Sequence, residues 1–565
     1  MNGLAVMSGD SEDGDGGYWI MLRAAGRTSK LLPGLVGFMR LAYILVLTLV
    51  CVGAAHAGDF ELYTTLDTEF KTESATGPGA GDSLSGDGVK YQSILTVRGT
   101  QSRENGSQLF SIGLRAGNSL RLGGRTLSLT NLRWQQSTDR YRLNLGDIME
   151  FFSQYALTNS LKGFSYTSIS KKPTGMDLTV IGGYEYPRWE NLYAGADVKA
   201  VQRQVLGARL ASSQSSSSSI EYGASIVHTS DRRGINLGDT LYDNALYSLD
   251  FGFELIPGLN AKVIGAVSDS IEHSSSGDKA LSGTAYKMEL TSAAKQGRAS
   301  FAYERISPGF LSLMGSAKPD RERVKLRIRS DFSKTVSLTV GYLYLRDNLD
   351  GQKPKTTTSK KPEISLDLKR VFDRRYASFD AALKFDGKRV GADRMVDTKT
   401  LSVGYRDRFG LIDASVGVLG VLLNDVGESS VSRTDDITYT LNLGTRMDAG
   451  PVVLRPILNG ALTTTLDHIS LKVSQKTDVA LEMRSDFPSV NANSSVKIGQ
   501  ANSVGTLSDS QKTYLSLSVY YRPGFLSSLK DGRLYLRAAY NDYRYPDASK
   551  KRSESSVTGG VSLCW

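Results

Sequence analysis

Strict alternation of apolar and polar residues constrains this chain more than any other feature of its sequence. Phe60, Leu62, Leu66 and Phe70 lie on one face of an extended segment, and acidic and hydroxyl residues occupy the other face. The same period of two recurs in the segments 220–226, 247–255, 324–328, 364–368, 379–385, 437–443 and 534–540. No helical period competes with it, so the sequence predicts an all-β protein.

The apolar segments are too short to cross a membrane as helices. The longest apolar run covers residues 41–52, well short of the roughly 20 residues that a spanning helix needs. Four basic residues precede this run, and Ala55-His56-Ala57 follows it. This order is typical of a secretory leader, and we expect residues 1–57 to be removed by cleavage after Ala57.

The carboxyl-terminal segment has the pattern of a membrane strand. Val557, Gly559, Val561, Leu563 and Trp565 lie on one face, and the chain stops on the aromatic residue. An apolar face that ends in an indole suits a strand whose end meets the headgroup layer. The pattern resembles the terminal strand of bacterial outer-membrane β-barrels, where it is recognised by the barrel-assembly machinery. The resemblance implies an outer-membrane location in a Gram-negative bacterium, with outer-membrane lipid and that machinery as partners.

Short and long connections alternate along the chain, as in such barrels. Tight turns are predicted at Asn105-Gly106, Pro257-Gly258, Gln296-Gly297, Ser333-Lys334, Asp373-Arg374 and Asp407-Arg408. Long connections are predicted near residues 72–88, 147–162, 184–202, 229–244, 268–282, 306–321, 347–361, 386–397, 423–436 and 542–555. Residues 58–565 are therefore predicted to form a single transmembrane antiparallel up-and-down β-barrel of about 26 strands, within about 22 to 28. Its long loops are extracellular and its short turns periplasmic, with both termini on the periplasmic side.

The net charge of +10 belongs to the barrel, because the four acids and four bases of residues 1–57 cancel. On an exported barrel such a charge is expected to line the lumen or face anionic lipid, and nucleic acid is not an expected partner. The candidate basic residues of the lumen are Lys325, Arg327, Arg329, Lys369, Arg533 and Arg537. They would favour anions, or they would pair with acids on the same wall such as Glu69 and Asp367.

Motifs for catalysis, metals and cofactors are missing from the sequence. Removal of the leader leaves Cys564 as the only cysteine, which excludes an internal disulfide and covalent haem attachment. There is no glycine-rich phosphate loop, no His-Glu-x-x-His and no calcium loop. No catalytic residue, metal site or cofactor is therefore predicted.

One pair of residues leaves a distant enzymatic alternative open. His228 and Ser230 lie two residues apart on the apolar face of segment 220–226. The pair is similar to the catalytic His and Ser of outer-membrane phospholipases and lipid A deacylases, and that resemblance implies Ser230 as nucleophile and His228 as base. Those families follow the serine with Asn, whereas Asp231 follows it here.

The predicted strand number implies a wide bore that something has to narrow. The first alternating segment starts at Phe60, directly after the leader, so no amino-terminal plug domain is expected. Either long loops fold inward, with 184–202 and 229–244 as candidates, or a separate protein fills the lumen. The sequence predicts a non-enzymatic porin-like channel. The close alternative is a sheath similar to those of porin–cytochrome electron-transfer conduits, with a periplasmic multihaem cytochrome as partner.

Overall fold

The structure is a computed structural model, and it describes the residues 60–83, 88–118, 127–172, 175–186, 189, 201–213, 220–232, 240–427, 431–505, 509–526 and 529–565. The leader predicted over residues 1–57 lies outside this described part. Within the described ranges, no helix has the length and hydropathy that a membrane span requires. The regular structure there consists of β-strands and a few 3-10 turns.

The first thirteen strands follow one another in chain order. They are β1 (Phe60–Thr76), β2 (Gly88–Arg103), β3 (Gly106–Gly117), β4 (Leu127–Thr138), β5 (Tyr141–Ile148), β6 (Leu161–Ser168), β7 (Met176–Glu185), β8 (Gln202–Ser212), β9 (Ile220–Arg232), β10 (Leu241–Ile256), β11 (Leu259–Ser274), β12 (Gly277–Ala294) and β13 (Gly297–Ile306). A 3-10 turn, Ala80–Asp82, lies between β1 and β2.

Thirteen further strands complete the sheet. They are β14 (Arg321–Asp331), β15 (Val336–Asp347), β16 (Thr357–Lys369), β17 (Ser378–Val390), β18 (Arg394–Phe409), β19 (Ile412–Val426), β20 (Val431–Thr445, extended by the short segment Met447–Ala449), β21 (Val452–Asp467), β22 (Lys472–Phe487), β23 (Ala492–Val504), β24 (Ser510–Tyr521), β25 (Asp531–Arg544) and β26 (Arg552–Cys564). Four 3-10 turns lie between them, at Val371–Asp373, Pro488–Val490, Gly524–Leu526 and Ala548–Lys550.

The sheet closes on itself. Each strand pairs with the next one along the chain, and β26 pairs antiparallel with β1 in a register that runs from Thr65↔Cys564 to Thr76↔Ser553. Backbone hydrogen bonds between Thr64 and Trp565, at 2.9 and 3.0 Å, complete the seam. Closure leaves no unpaired sheet edge. The predicted antiparallel barrel of 26 strands is therefore confirmed.

The two faces of the wall differ as the alternation predicts. On β10, Tyr247, Leu249 and Phe251 are exposed on one face, whereas Leu246 and Ser248 are buried on the other. Exposed apolar side chains recur on the same face of the other strands, for example at Leu383, Leu401, Ile437, Tyr439, Ile498, Leu515, Leu534 and Leu536. This apolar face forms the outer surface of the ring, and the other face lines the lumen.

Four predicted connections are wrong in extent or position. The region 268–282 is a tight turn rather than a long loop, because β11 runs to Ser274 and β12 begins at Gly277. The regions 386–397 and 423–436 are likewise short, between β17 and β18 and between β19 and β20. The turn predicted at Asp407-Arg408 lies inside β18, and the chain reverses instead at Gly410, whose φ is +64°. Polar residues on both faces suggested loops, but the backbone ladder between strands needs no apolar face.

Candidate functional site in the barrel lumen

Part of the inner wall is apolar, unlike the inside of a simple aqueous channel. The inward positions of β8, β9, β10, β11 and β13 include Val205, Val227, Leu246, Ile264 and Ile306, all at most 3% exposed. These side chains lie on the face opposite the exposed Leu206, Ile226 and Tyr247, so they point into the ring. We call the inner face of β5–β13 the covered arc, because two connections of the chain pack against it.

The first covering segment is the connection 149–160, between β5 and β6. Phe152, Tyr155 and Leu157 are at most 1% exposed and belong to the same buried cluster as the inward side chains of the covered arc. The hydroxyls of Ser153 and Ser248 are 2.9 Å apart, which ties the connection to β10. Burial of these apolar side chains is what holds the segment on the wall.

The second covering segment is the connection 307–320, between β13 and β14. Phe310 and Met314 are each 1% exposed and join the same cluster. The backbone of Phe310 lies so close to Gly283 on β12 that a Cβ atom there would be 2.2 Å from the Phe310 nitrogen. The Ser268 hydroxyl accepts a hydrogen bond from the Leu311 amide at 2.9 Å. Gly283 thus provides the space that lets the connection lie flat on the wall.

The two connections also bind to each other. The Thr158 amide donates to the Met314 carbonyl at 2.8 Å, and the Ser316 amide donates to the Gln154 carbonyl at 3.0 Å. The ring of Tyr155 packs edge-on against that of Phe310, with centroids 5.8 Å apart. The two segments therefore form one unit on the inner wall.

A buried carboxylate anchors this unit to the strands. Glu304 on β13 is 2% exposed and accepts hydrogen bonds from the Gln154 amide at 2.9 Å and the Tyr155 hydroxyl at 3.1 Å. Arg321 pairs with its other oxygen at 2.9 Å. Burial and the Glu304 charge raise the pKa of the Tyr155 hydroxyl, because both disfavour the phenolate. The carboxylate is fully paired and holds Tyr155 in its protonated, donating form.

A second ion pair lies where the connection 307–320 meets β14. Asp320 is 5% exposed, binds the ammonium group of Lys353 and accepts a hydrogen bond from the Leu349 amide at 2.7 Å. Burial raises the pKa of Asp320, but Lys353 and the backbone amides outweigh burial and lower it. The pair links the connection 307–320 to the neighbouring connection 348–356.

A cavity of about 410 Å³ lies between the connection 149–160 and the strands of the covered arc. Its lining includes Arg142, Glu150, Asp177, Arg209 and Asp250. Most of these charges are engaged within the protein: Arg209 binds both oxygens of Asp250 at 2.7 and 2.9 Å, and Arg142 lies 3.4 Å from Glu150. The cavity is thus a polar recess beside the covering unit.

Another part of the wall is polar and exposed on its inner face. We call the inner face of β16–β25 the bare arc, because no described connection packs against it. Its inward residues are mostly hydroxyl, amide or charged, as at Thr398, Thr438, Asn442 and Lys497. Acids and bases alternate there, and the ammonium group of Lys361 binds Asp386. Such a face suits contact with water.

The structure places the predicted lumen bases on the inner face. Lys325, Arg327 and Arg329 on β14 alternate with outward Leu326 and Ile328. The other three candidates, Lys369 on β16 and Arg533 and Arg537 on β25, are also exposed on the inner face. Arg537 donates to the Tyr520 hydroxyl at 3.0 Å and lies over the ring of Tyr535. Their effect on ion selectivity stays a prediction.

The other two predicted sites lie on the wall as the sequence places them. The residues from Val557 to Cys564 form the end of β26 and, together with Trp565, close the ring, and their recognition by an assembly machinery stays a prediction. His228 and Ser230 lie on the outer face of β9, where the His228 Nε2 atom is 3.5 Å from the nearest carboxylate oxygen of Asp243. In this part of the barrel no hydrogen bond joins Ser230 to His228. The pair therefore lacks the contact that a serine nucleophile and its base would make.

Sequence reasoning missed the residues that cover the wall. The predicted inward loops were 184–202 and 229–244, most of whose connecting residues lie outside the described ones, whereas the covering segments seen here are 149–160 and 307–320. The available signal was the apolar content of Phe151, Phe152, Tyr155, Phe310 and Met314 in connections that should otherwise be hydrophilic. Across the described ranges, no group of three or more His, Cys, Asp and Glu is placed to hold a metal ion.

Comparisons with known proteins identify similar barrels among solved structures. No protein-family model and no curated protein sequence matches the chain. The P pilus usher (PapC) translocation pore is 12% identical with a TM-score of 0.38, over 88% of this chain and 99% of that one. The FrpB iron transporter from Neisseria meningitidis (F3-3 variant) is 11% identical with a TM-score of 0.39, over 89% and 81%. OmpF of Salmonella typhi is 11% identical with a TM-score of 0.28, over 51% and 90%. These similarities concern the barrel alone.

Proposed function

We propose that this chain is a porin-like channel in the outer membrane of a Gram-negative bacterium and has no enzymatic activity. The observation that carries the proposal is the contrast between the two faces of a closed ring of 26 strands. The outer face is an apolar belt suited to hydrocarbon, and the bare arc of the inner face is polar and charged. A ring of this size whose interior is lined in this way encloses water.

In this proposal the covering unit narrows the bore. The connections 149–160 and 307–320 occupy the inner side of β5–β13, so solutes pass along the remaining wall. The start of β1 and the end of β26 lie at one end of the barrel, since Thr65 pairs with Cys564 and Thr64 with Trp565. In the proposed orientation that end faces the periplasm, and the end that carries 149–160 and 307–320 faces outward.

A sheath around a multihaem cytochrome is the alternative that the size of the barrel leaves open. The covering unit favours the channel, because the chain's own segments already pack on the inner wall where a partner would lie. An acyl hydrolase is less well supported, since Ser230 and His228 make no hydrogen bond with each other.

Single-channel recording of the purified full-length protein in planar bilayers tests the channel. We expect stepwise, voltage-independent conductance, and swelling of proteoliposomes in solutions of small sugars. Absence of both, for the wild type and for a variant with the covering unit released, would contradict the proposal. Haem staining of a native preparation distinguishes the sheath, and acyl-ester hydrolysis that depends on Ser230 distinguishes the enzyme.

A further inference from the structure

One strand of the inner wall carries a basic residue at every inward position along most of its length. On β14 these residues are Arg321, Arg323, Lys325, Arg327 and Arg329. Consecutive inward residues of a strand are about 6.8 Å apart, so the column extends over about 27 Å. That length is comparable to the roughly 25 Å height of the apolar band of a transmembrane barrel.

The middle of this column has no carboxylate partner. Arg321 at one end binds Glu304 at 2.9 Å, and Arg329 at the other end binds Asp331 at 3.0 Å. Among the described residues, no carboxylate oxygen lies within 4.0 Å of a side-chain nitrogen of Arg323, Lys325 or Arg327. Three adjacent cationic groups therefore face the lumen without an ion-pair partner among the described residues, although Glu304, which binds Arg321, lies directly opposite Arg323 on β13.

The neighbouring strands add positive charge and space. On β13, Arg298 lies directly opposite Arg329, Ser300 opposite Arg327, and Ala302 opposite Lys325. Like charges in directly opposed positions repel each other. The part of β13 between Gly297 and Tyr303 contains no acidic residue that would offset this repulsion. An open groove of about 500 Å³ lies beside these residues, and its lining includes Arg298, Ser300, Arg327 and Arg329.

The strand on the other side of the column, β15, is uncharged opposite the three central bases, where Leu345 lies opposite Arg323 and Leu343 opposite Lys325. Gly341 on β15 lies opposite Arg327, and Thr339 lies opposite Arg329. The Glu363 side chain on β16 extends over Gly341, with its Oε1 atom 2.6 Å from where a Cβ atom would be. Glu363 is thus the acid that borders the column, and it stays more than 4.0 Å from the nitrogens of Arg327.

We infer that Arg298 and the β14 column form a binding track for multivalent oxyanions, of the polyphosphate or polycarboxylate class, on the channel wall. The inference rests on the proposed channel function and names its substrate class. An extended anion with several charged groups offsets the repulsion between bases spaced at regular intervals, which a monovalent ion does only at one point. Guanidinium groups also bind such oxygens through paired hydrogen bonds.

Tripolyphosphate is the probe for this track. We expect it to block the current through the wild-type channel, and calorimetry on the detergent-solubilised full-length protein to detect its binding. The triple variant Arg323→Gln, Lys325→Gln, Arg327→Gln should weaken block and binding by at least about tenfold. A matched variant, Lys476→Gln, Lys497→Gln, Lys512→Gln, removes the same charge from the bare arc and should keep both.

Equal weakening by the two triple variants would overturn the inference, because net charge alone would then explain the effect. Absence of tripolyphosphate binding to the wild type would also overturn it. The calorimetric measurement does not need a conducting pore, so a protein that binds the probe but carries no current would contradict the channel and leave the track supported. If the triple variant does not assemble, Lys325→Gln alone should weaken binding measurably.

Discussion

The covered arc and the bare arc belong to one sheet and one alternation, yet their inner faces have opposite character. On the covered arc, Val205, Val227 and Leu246 point inward and are fully shielded by the connections 149–160 and 307–320. On the bare arc, residues such as Thr438 and Asn442 point inward and make only local hydrogen bonds. The difference shows that the inner face of a large barrel is not uniformly a channel lining.

The physical reason is the cost of exposing apolar surface to water. Each inward Val or Leu of the covered arc would lose roughly 1.5–3 kcal/mol if it faced water rather than a packed segment. Apolar side chains on both the wall and the connections therefore favour their contact. A wall lined by hydroxyl groups gains no hydrophobic free energy when a segment packs against it, so the bare arc stays exposed to the lumen.

The largest expected effect comes from charging the covering unit. The double change Phe310→Asp, Met314→Asp places two carboxylates in an apolar cluster, which is unfavourable by several kcal/mol per charge. We expect the unit to leave the wall and single-channel conductance to rise severalfold. Phe372→Asp, at a residue 82% exposed in a turn, is the matched control and should leave the conductance unchanged. An unchanged conductance in the double variant would show that the unit does not narrow the bore.

Removal of the buried carboxylate should have the next largest effect. Glu304→Ala leaves Arg321 and the Tyr155 hydroxyl without their acceptor, and we expect docking of the unit to weaken by about 2–4 kcal/mol. A spin label at Phe151→Cys, an exposed position of the connection 149–160, should then report increased mobility. Glu363→Ala, on the bare side of the barrel, should not change the label's spectrum. Equal spectra for Glu304→Ala and the parent would argue against the anchoring role.

A single methyl group should displace the second connection. Gly283→Ala places a Cβ atom 2.2 Å from the backbone nitrogen of Phe310, so the connection has to move. We expect a conductance increase smaller than that of the charged variant. Gly265→Ala on the neighbouring strand β11 is the control, because no atom lies within 4 Å of its Cβ position, and it should leave the conductance unchanged. If Gly283→Ala leaves the conductance unchanged, the connection 307–320 can shift without widening the bore.

Acid should loosen the unit through Asp320. Because the pKa of this carboxyl is lowered in the folded state, its contribution to stability is complete above the ordinary value of 3.8 and is lost as the pH falls through the lowered pKa. We expect the Phe151→Cys label to become more mobile only below about pH 4. Asp320→Asn should remove this part of the pH dependence, and a profile unaffected by that change would assign the transition to other groups.

The smallest effect is expected on the bare arc. Thr438→Ala removes a hydrogen bond of 2.9 Å to the Thr463 hydroxyl on a wet surface, for a loss of about 1 kcal/mol or less in unfolding free energy. Conductance should stay within the experimental scatter of the wild type. A large change in conductance on Thr438→Ala would mean that a segment of the chain packs against the bare arc as well.

Much of the fold could be predicted from local pattern. The alternation in segments such as 247–255 and the apolar face that ends at Trp565 indicate strands with one lipid-type face, and the alternating connections indicate the strand number. The predicted bases Lys325 and Arg327 face the lumen for the same reason, since a period of two decides the face once the register is known. The strand ends in the regions 268–282, 386–397 and 423–436 and the turn at Asp407-Arg408 were mispredicted, because the parts of strands beyond the apolar belt carry no alternation of apolar and polar residues.

The covering unit could not be derived in the same way. The buried cluster brings Phe152 together with Leu246 and Phe310, which are far apart from it in sequence, and no local period encodes this arrangement. The absence of a counter-charge beside Lys325 is likewise a property of three neighbouring strands. Recognition of apolar residues in the connections would have indicated that these segments are buried, but not which part of the wall they cover.

The sequence by itself determined that the strands of this chain have one apolar and one polar face, that there are about 26 of them, and that the chain ends on an aromatic residue directly after the last strand. Only the tertiary structure decided that the ring closes between Thr64 and Trp565, that two connections lie inside it, and that three adjacent cations of β14 face the lumen with no ion-pair partner among the described residues. The reason is physical: periodicity fixes the direction of each side chain along its own strand, whereas contacts between distant segments depend on which surfaces closure brings face to face.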